Sequence, residues 1–534
     1  MGWWVTKPGL VCGAMAAALM FTSTAAAEGG FQLARASGPT PFAPGCNGAP
    51  ANDTGTLYRN AEVEPYVSVD PRNSNHIVGV WQQDRWSNGG ANGLMTGVSH
   101  DGGKSWKRTF AHFSRCAGGN PANGGDYERA SDPWVSFSPN GTAHQISLSF
   151  NNSNGNQAVL VSRSRDGGLG WSEPTALATD TSVDVALDKE AITADPHNSR
   201  YVYAVWDRLV GLTSTNPNDF FGPAWFSRST NGGATWEPAR LIYDPGPDTQ
   251  TIGNQIVVLP NGDLVNMFTL IKQAASAAVS PQFVALMRST DKGKTWSAPI
   301  VVNPLTSIGI KDVKTGEPLR TEDFTADIAV DPESGVLYLV WQDARFSGAK
   351  RDGIVFSKSG DGGLTWSDPV QVNKATGVQA FTPTVVITEE GAINLTYYDF
   401  RKDTPDPATL LTTVWLSVSR DGGKTWHEKQ MAGPFDMRTA PFARGFFVGD
   451  YQGLGRLDNN SVLPFFVQAN SGNILNRTDV VAALSGNEDA SGQNQDSSGN
   501  NQDTSGSNHQ EVNAAPQSTR ERLRSHREVQ HGAR

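Results

Sequence analysis

Charge is scarce in this chain. Only 18% of its 534 residues are Asp, Glu, Lys or Arg, and only 38% are apolar, both low for a globular protein. There is no basic surplus. The formal net charge is −10 and the isoelectric point about 5.4, which argues against a nucleic-acid partner. Long hydrophobic runs are missing beyond the N-terminus, so no integral membrane segment is expected after it. The histidines are few, and His76, His100, His112, His144 and His197 form no cluster. Two mature cysteines without such a cluster build no zinc site. No D-x-[DN]-x-[DN]-G run with a trailing Glu is present, so no cofactor is expected, with a structural Ca²⁺ left open. The chain has instead 56 Gly, 31 Pro, 15 Trp and 23 Phe. That composition disfavours a coiled coil or helical solenoid and suits tight turns between aromatic-rich strands.

The two ends differ from the rest. Residues 1–27 read as a secretory signal, with Lys7 in a short positive region, an apolar core from Leu10 to Phe21, and Ala25, Ala26 and Ala27 before a cut near Glu28. An uncleaved anchor is the alternative, for which the apolar run is short. Export implies a secreted or periplasmic protein. Cys12 leaves with the signal, and the remaining Cys46 and Cys116 are expected to pair in an oxidising compartment. Residues 487–534 read as a disordered polar tail. Asn487 to Gln517 has too few apolar groups to offset ordering entropy, and Arg520, Arg522, Arg524, Arg527 and Arg534 make a solvated basic end. Residues 28–486 remain as one domain, expected to be a monomer.

Within that domain an octad recurs: SHDGGKSW from Ser99, SRDGGLGW from Ser164, STNGGATW from Ser229, STDKGKTW from Ser289, SGDGGLTW from Ser359 and SRDGGKTW from Ser419. Asp101, Asp166, Asn231, Asp291, Asp361 and Asp421 are 65, 65, 60, 70 and 60 residues apart. A near-constant period is the first thing to settle in a sequence. An Asx side chain followed by Gly suits a tight turn, and the closing Trp is a large apolar plug expected to anchor the turn to its own unit. Alternating runs flank each octad, which reads as a hairpin between two strands. Two more strands complete each period, such as YVSVDP at Tyr66 with IVGVWQQDR at Ile77. Four-stranded units repeated six or more times mean an all-β propeller, with each octad between the third and fourth strands.

The octads resemble the Asp-box, or bacterial neuraminidase repeat, of sialidases and related propellers, over roughly residues 60 to 485. A seventh first-strand pattern is read at Phe446 to Asp450, and a closing strand at 31–37, where FQLARASGPTPF resembles VQVNKATGVQAF from Val370. Seven blades are favoured. Six, the number the resemblance to sialidases implies, is the alternative.

The octad face is expected to be structural and the opposite face, with the inter-blade links, functional. Second strands end in Asp84 with Arg85, Asp207 with Arg208, Asp343 with Arg345, and Asp399 with Arg401, a repeated set that reads as ion pairs between blades. Features that break the repeat are better candidates. They are Glu64 and Glu190 at first-strand entrances, Asp132 beyond the Lys107–Ser131 link, and Arg320, Glu322 and Arg444 in two other long links.

The resemblance to sialidases implies an arginine triad for a substrate carboxylate, a Tyr activated by a Glu, and an Asp acid/base. Arg59, Arg345, Arg401 and Arg444 are the candidates for the triad. Tyr398 with Glu190 or Glu322 is the nucleophile pair, and Asp84 the acid. The family's Phe/Tyr-Arg-Ile-Pro motif is absent, the nearest stretch being Tyr58-Arg59-Asn60. Three functions follow as expectations: a sialidase-like glycoside hydrolase acting on an acidic or plant-type glycan, a non-catalytic propeller binding a glycan or protein, and a polysaccharide lyase.

Overall fold

Short strands separated by Gly-rich turns bury little alone, so each must stack on a neighbour. The computed structural model describes residues 30–485 apart from 51, 278 and 459. The segments expected to be a signal (1–27) and a polar tail (487–534) lie outside the described residues. Among the described residues the chain is all-β, with no α-helix and four short 3-10 turns. No helix there is long and apolar enough to cross a membrane.

Among the described residues the strands form sheets of four, nine, two, eight, four and four strands, within which antiparallel strands run in four-stranded units. The first comprises Leu57–Val69, Ile77–Trp86, Ala91–Ser99 and Lys107–Thr109. The last comprises Gly453–Arg456, Val462–Ala469 and Thr478–Ser485, and takes Phe31–Arg35 from the N-terminus as its fourth strand. Second and third strands are buried on both faces; every residue of Ile77–Trp86 and Ala91–Ser99 is buried. Trp81, Trp206 and Trp341 are fully buried on the second strands of the first, third and fifth units. The first strand of each unit packs against that of the next, and the seventh packs against the first. These strands therefore ring a central axis.

Each octad joins a third strand to a fourth. In the first, Ser99 Oγ donates to Asp101 at 2.8 Å and accepts from Gly103 N at 2.9 Å, while Asp101 accepts from Ser105 N at 2.9 Å. The plugs do more than expected: besides packing on their own unit, as Trp296 does with Phe268 and Met287, several reach the preceding one. Trp106 lies 5.4 Å from Phe465, Trp296 5.6 Å from Phe226 and Trp426 5.3 Å from Phe356, ring to ring. The cause is the octad's fifth residue. At Gly423 φ is +88°, and a Cβ there would stand 2.5 Å from the Phe356 ring. The bare glycine lets the turn close onto its neighbour, so the octads staple unit to unit.

The seventh first strand is also displaced. It is Gly453–Arg456 rather than Phe446 to Asp450. Phe446–Phe447 instead pairs in parallel with Leu319–Arg320, so two long links meet across the axis. Cys46 and Cys116 form a disulfide with Cα atoms 4.8 Å apart, tying the N-terminal strap to the link between the first two units.

Candidate functional site

The first strands enter the ring through bulges. Register slips between Val63 and Tyr66, Ser131 and Trp134, Asp188 and Ala191, Ile252 and Gln255, and Phe381 and Thr384. Within these bulges Glu64, Asp132, Lys189, Gly253 and Thr382 all have positive φ, between 48° and 68°. Only the glycine adopts that region without strain. A bulge re-aims a side chain, and here it presents polar groups to the axis.

Two adjoining hollows open there, sharing Asp132 and Lys189 in their walls. The outer one has about 330 Å³ of open space, part of it continuous with solvent, and is lined by Arg85, Arg320, Arg444 and Asp188. The inner one has about 680 Å³ and lies further along the first strands, beside Tyr66, Trp134, Glu190, Asp327, Thr384 and Tyr451. Tyr66 and Trp134 stack with centroids 3.6 Å apart, and Tyr451 meets Trp134 edge-on at 5.3 Å.

One ion cluster anchors the walls. Asp450 accepts from Lys189 Nζ at 2.6 Å and from Arg320 Nε and Nη2 at 3.0 and 2.5 Å. Arg320 also reaches Glu322 at 3.1 Å. The Arg85 and Arg320 guanidiniums lie 4.8 and 4.5 Å from the Phe447 ring centre. Gln82 Nε2 donates to Glu64 and, at 3.0 Å, to Ser131.

These surroundings split the carboxyls into two kinds. Burial works to raise Asp450, but Arg320 and Lys189 outweigh it and hold that carboxyl well below its ordinary range. Burial together with Asp132 pushes Glu64, Asp188 and Glu190 well above theirs. Burial and Asp450 push Glu322 up to about 7. Burial and then Arg320 lower Arg85 to about 10 and Arg444 to about 9. The site thus combines a fixed ion cluster with carboxyls whose pKa values are pushed up, the direction that suits a general acid.

Of the candidates from sequence, Asp132, Glu190 and Arg444 line these hollows, and Glu64 stands against them, within reach of the charges of Asp132 and Asp450. Five others lie elsewhere, each held by structural partners. Asp84 accepts from Thr40 Oγ1 and Asn60 N, both at 2.8 Å, and Arg59 donates to the Phe42 carbonyl at 2.8 Å. Both therefore fasten the N-terminal strap. Arg345 is bound to Asp343 and crosses to Asn303 of the preceding unit at 2.9 Å. Arg401 is bound to Asp399 and Glu428 and lies 3.7 Å from the Trp415 ring centre. Tyr398 is buried, with its hydroxyl donating to the Val467 carbonyl at 3.0 Å.

Sequence reasoning did not assign Arg85, Asp188, Lys189, Asp450 or Tyr451 to the site. One signal was available for Arg85. Arg345 and Arg401 follow Asp343 and Asp399 by two, in the turns that end those strands, where backbone N–H and guanidinium both bond the Asp carboxylate. Asp84 and Arg85 are adjacent and point to opposite faces, which frees Arg85 for the hollow.

Comparison with known proteins follows this geometry. Residues 224–441 match the model of the BNR repeat-like domain. A xyloglucanase of Acetivibrio thermocellus is 27% identical over 264 residues, a stretch covering 45% of this chain and 28% of that enzyme. Among solved structures, a Hadza microbial sialidase is 16% identical, with a TM-score of 0.44 over 85% of this chain and 94% of its own. A Penicillium chrysogenum α-L-arabinanase complexed with arabinobiose is 12% identical, with a TM-score of 0.42 over 84% of this chain and 97% of its own. The resemblance carried by the octads therefore has its counterpart in a family model, that of the BNR repeat-like domain, matched over residues 224–441.

Proposed function

We propose that the seven units are blades of a propeller closed by Phe31–Arg35, and that the protein is an exported, monomeric glycoside hydrolase whose site is the pair of axial hollows. Glycoside hydrolysis needs one carboxyl that donates a proton to the leaving oxygen and a second carboxylate across the scissile bond. Glu190 is the donor. Its side chain is 2% exposed and lies against the inner hollow, and burial with Asp132 pushes its carboxyl well above the ordinary range. Asp132, on the wall common to both hollows, is the second carboxylate. Arg85, Arg320 and Arg444 receive an acidic group of the glycan by charge-assisted hydrogen bonds.

The observation that carries this reading is a buried carboxyl, Glu190, beside a second, Asp132, in a cavity walled by aromatics. A screen of the purified protein against sialosides, arabinan and xyloglucan tests it. Turnover on one of them is expected, with Glu190→Gln lowering kcat at least a hundredfold at unchanged melting. Retention of kcat in that variant would remove Glu190 from the chemistry.

A specific observation favours a second reading. Arg320 is already engaged by Asp450 and Glu322, which suits a non-catalytic glycan-binding propeller whose cations are partly neutralised by its own acids. Binding without turnover supports that reading. A lyase is less well served. The Tyr451 hydroxyl donates to the Pro133 carbonyl at 3.1 Å, and burial with Glu64 and Asp132 drives its pKa well above the ordinary value, away from a base.

A further inference from the structure

The inner hollow has a different character from the arginine-lined one. Its aromatic wall comes from the seventh, first and second units, as Tyr451, Tyr66 and Trp134. Its polar wall comes chiefly from the third to sixth units, with Gln452 of the seventh beside Tyr451. Three polar side chains there are more than nine-tenths buried and have atoms without a hydrogen-bond partner: both Glu190 oxygens, Thr382 Oγ1 and Gln452 Oε1. Buried polar groups are nearly always satisfied, so three such groups around one cavity call for hydroxyl or water partners inside it. Asp327 adds a carboxylate that accepts from Thr384 Oγ1 at 2.7 Å and Val385 N at 2.8 Å through a single oxygen.

We propose that the inner hollow is a separate subsite for an uncharged sugar ring, so that the ligand spans both hollows and contains at least two parts. The inference rests on the glycan reading above and adds to it. A pyranose or furanose ring has an apolar C–H face, which suits the aromatic wall, and an edge of hydroxyls, which suits the acceptors opposite. An anionic ring is disfavoured, because the inner wall is acidic beyond Lys189 while the guanidiniums line the outer hollow. Asp132 and Lys189, common to both hollows, mark where the two parts of the ligand join.

The test uses the full chain and three free monosaccharides as probes, D-xylose, L-arabinose and D-galactose, each at tens of millimolar, read by saturation-transfer NMR. At least one is expected to show transfer. Thr382→Val, which removes the hydroxyl at nearly constant shape, is expected to weaken that binding at least fivefold. Gln255→Leu, at a half-buried position of the same wall, is expected to do the same and keeps the test decisive if the first variant does not fold. Absence of transfer from all three sugars overturns the proposal, as does transfer unchanged in a folded variant. D-glucuronate serves as the anionic arm. Its binding is expected to fall in Arg444→Ala and to persist in Gln255→Leu; loss in Gln255→Leu would merge the two hollows into one site and overturn the proposal. Failure of the hydrolase reading is seen separately, as sugar binding in the inner hollow with no turnover of any glycan.

Discussion

Replacing Gly423 by alanine should test the stapling role of the octads most directly, because its neighbour supplies the control. Gly422 and Gly423 both lie in the left-handed region, at φ +73° and +88°. Alanine at either position takes on backbone strain of about 1 to 2 kcal/mol. The two sites then diverge. At Gly422 the added Cβ meets only the mobile end of Lys358, 3.2 Å away. At Gly423 it meets the Phe356 ring of the preceding unit at 2.5 and 2.9 Å, and that ring is 2% exposed and cannot swing away. Overpacking of this kind costs roughly 1 to 3 kcal/mol more. Gly423→Ala should therefore lose about 2 to 5 kcal/mol. Urea unfolding with unchanged m-values would measure both losses. Equal losses in the two variants would show that the fifth octad position bears on local turn geometry alone. Ligand binding should be untouched in the folded fraction of either variant.

Three further outcomes are expected. Arg401→Ala should destabilise by about 3 kcal/mol, because Asp399 and Glu428 lose the guanidinium that pairs them, yet turnover per folded molecule should stay at the wild-type level; a specific loss of turnover at unchanged melting would return Arg401 to the site. Burial and Asp323 raise Asp352 from 3.8 to about 7, so the fold favours its protonated form, and stability is lost as pH rises from about 4 to 7. Asp352→Asn, whose amide can donate to Ser307, should flatten that part of the profile and be the more stable protein at pH 8, by at most about 4 kcal/mol; melting at pH 5 and pH 8 decides it. The double variant Cys46→Ser with Cys116→Ser should lose about 4 kcal/mol by the chain-entropy estimate for a separation of 70 residues, and thiol titration of the denatured, unreduced parent should find no free sulfhydryl among these two.

The strand order was legible because the octad recurs at a fixed register and alternating runs flank it. Glu64, Asp132 and Glu190 were legible for the opposite reason, since each departs from its repeat at a first-strand entrance. Tyr398 and Arg401 misled because strand parity was not applied. Tyr397 and Tyr398 face opposite ways, and it is Tyr397 that meets Glu428 and Arg401. Lys189 and Asp450 pair across 261 positions, a contact that no local pattern encodes. Tyr451 stayed hidden because the double phenylalanine at Phe446–Phe447 mimics a first strand, and only its pairing with Leu319–Arg320 shows where the seventh unit begins.

The distribution of strain follows the same division of labour. Equivalent bulges at five first-strand entrances need a left-handed residue, and one of them has the cheap solution, Gly253. The others hold Glu64, Asp132, Lys189 and Thr382 at φ between 48° and 54°. Strain of this kind persists only where the surroundings over-determine it. The surroundings here are the octad staples on one edge, the hydrogen bond from Arg345 to Asn303 of the preceding unit and the ion pair of Arg208 with Asp180 of the unit before its own. None of these touches the hollows. The repeated parts of the sequence therefore hold the ring rigid, and the unrepeated residues spend that rigidity at the axis, where charged side chains occupy positions that glycine would fill more comfortably.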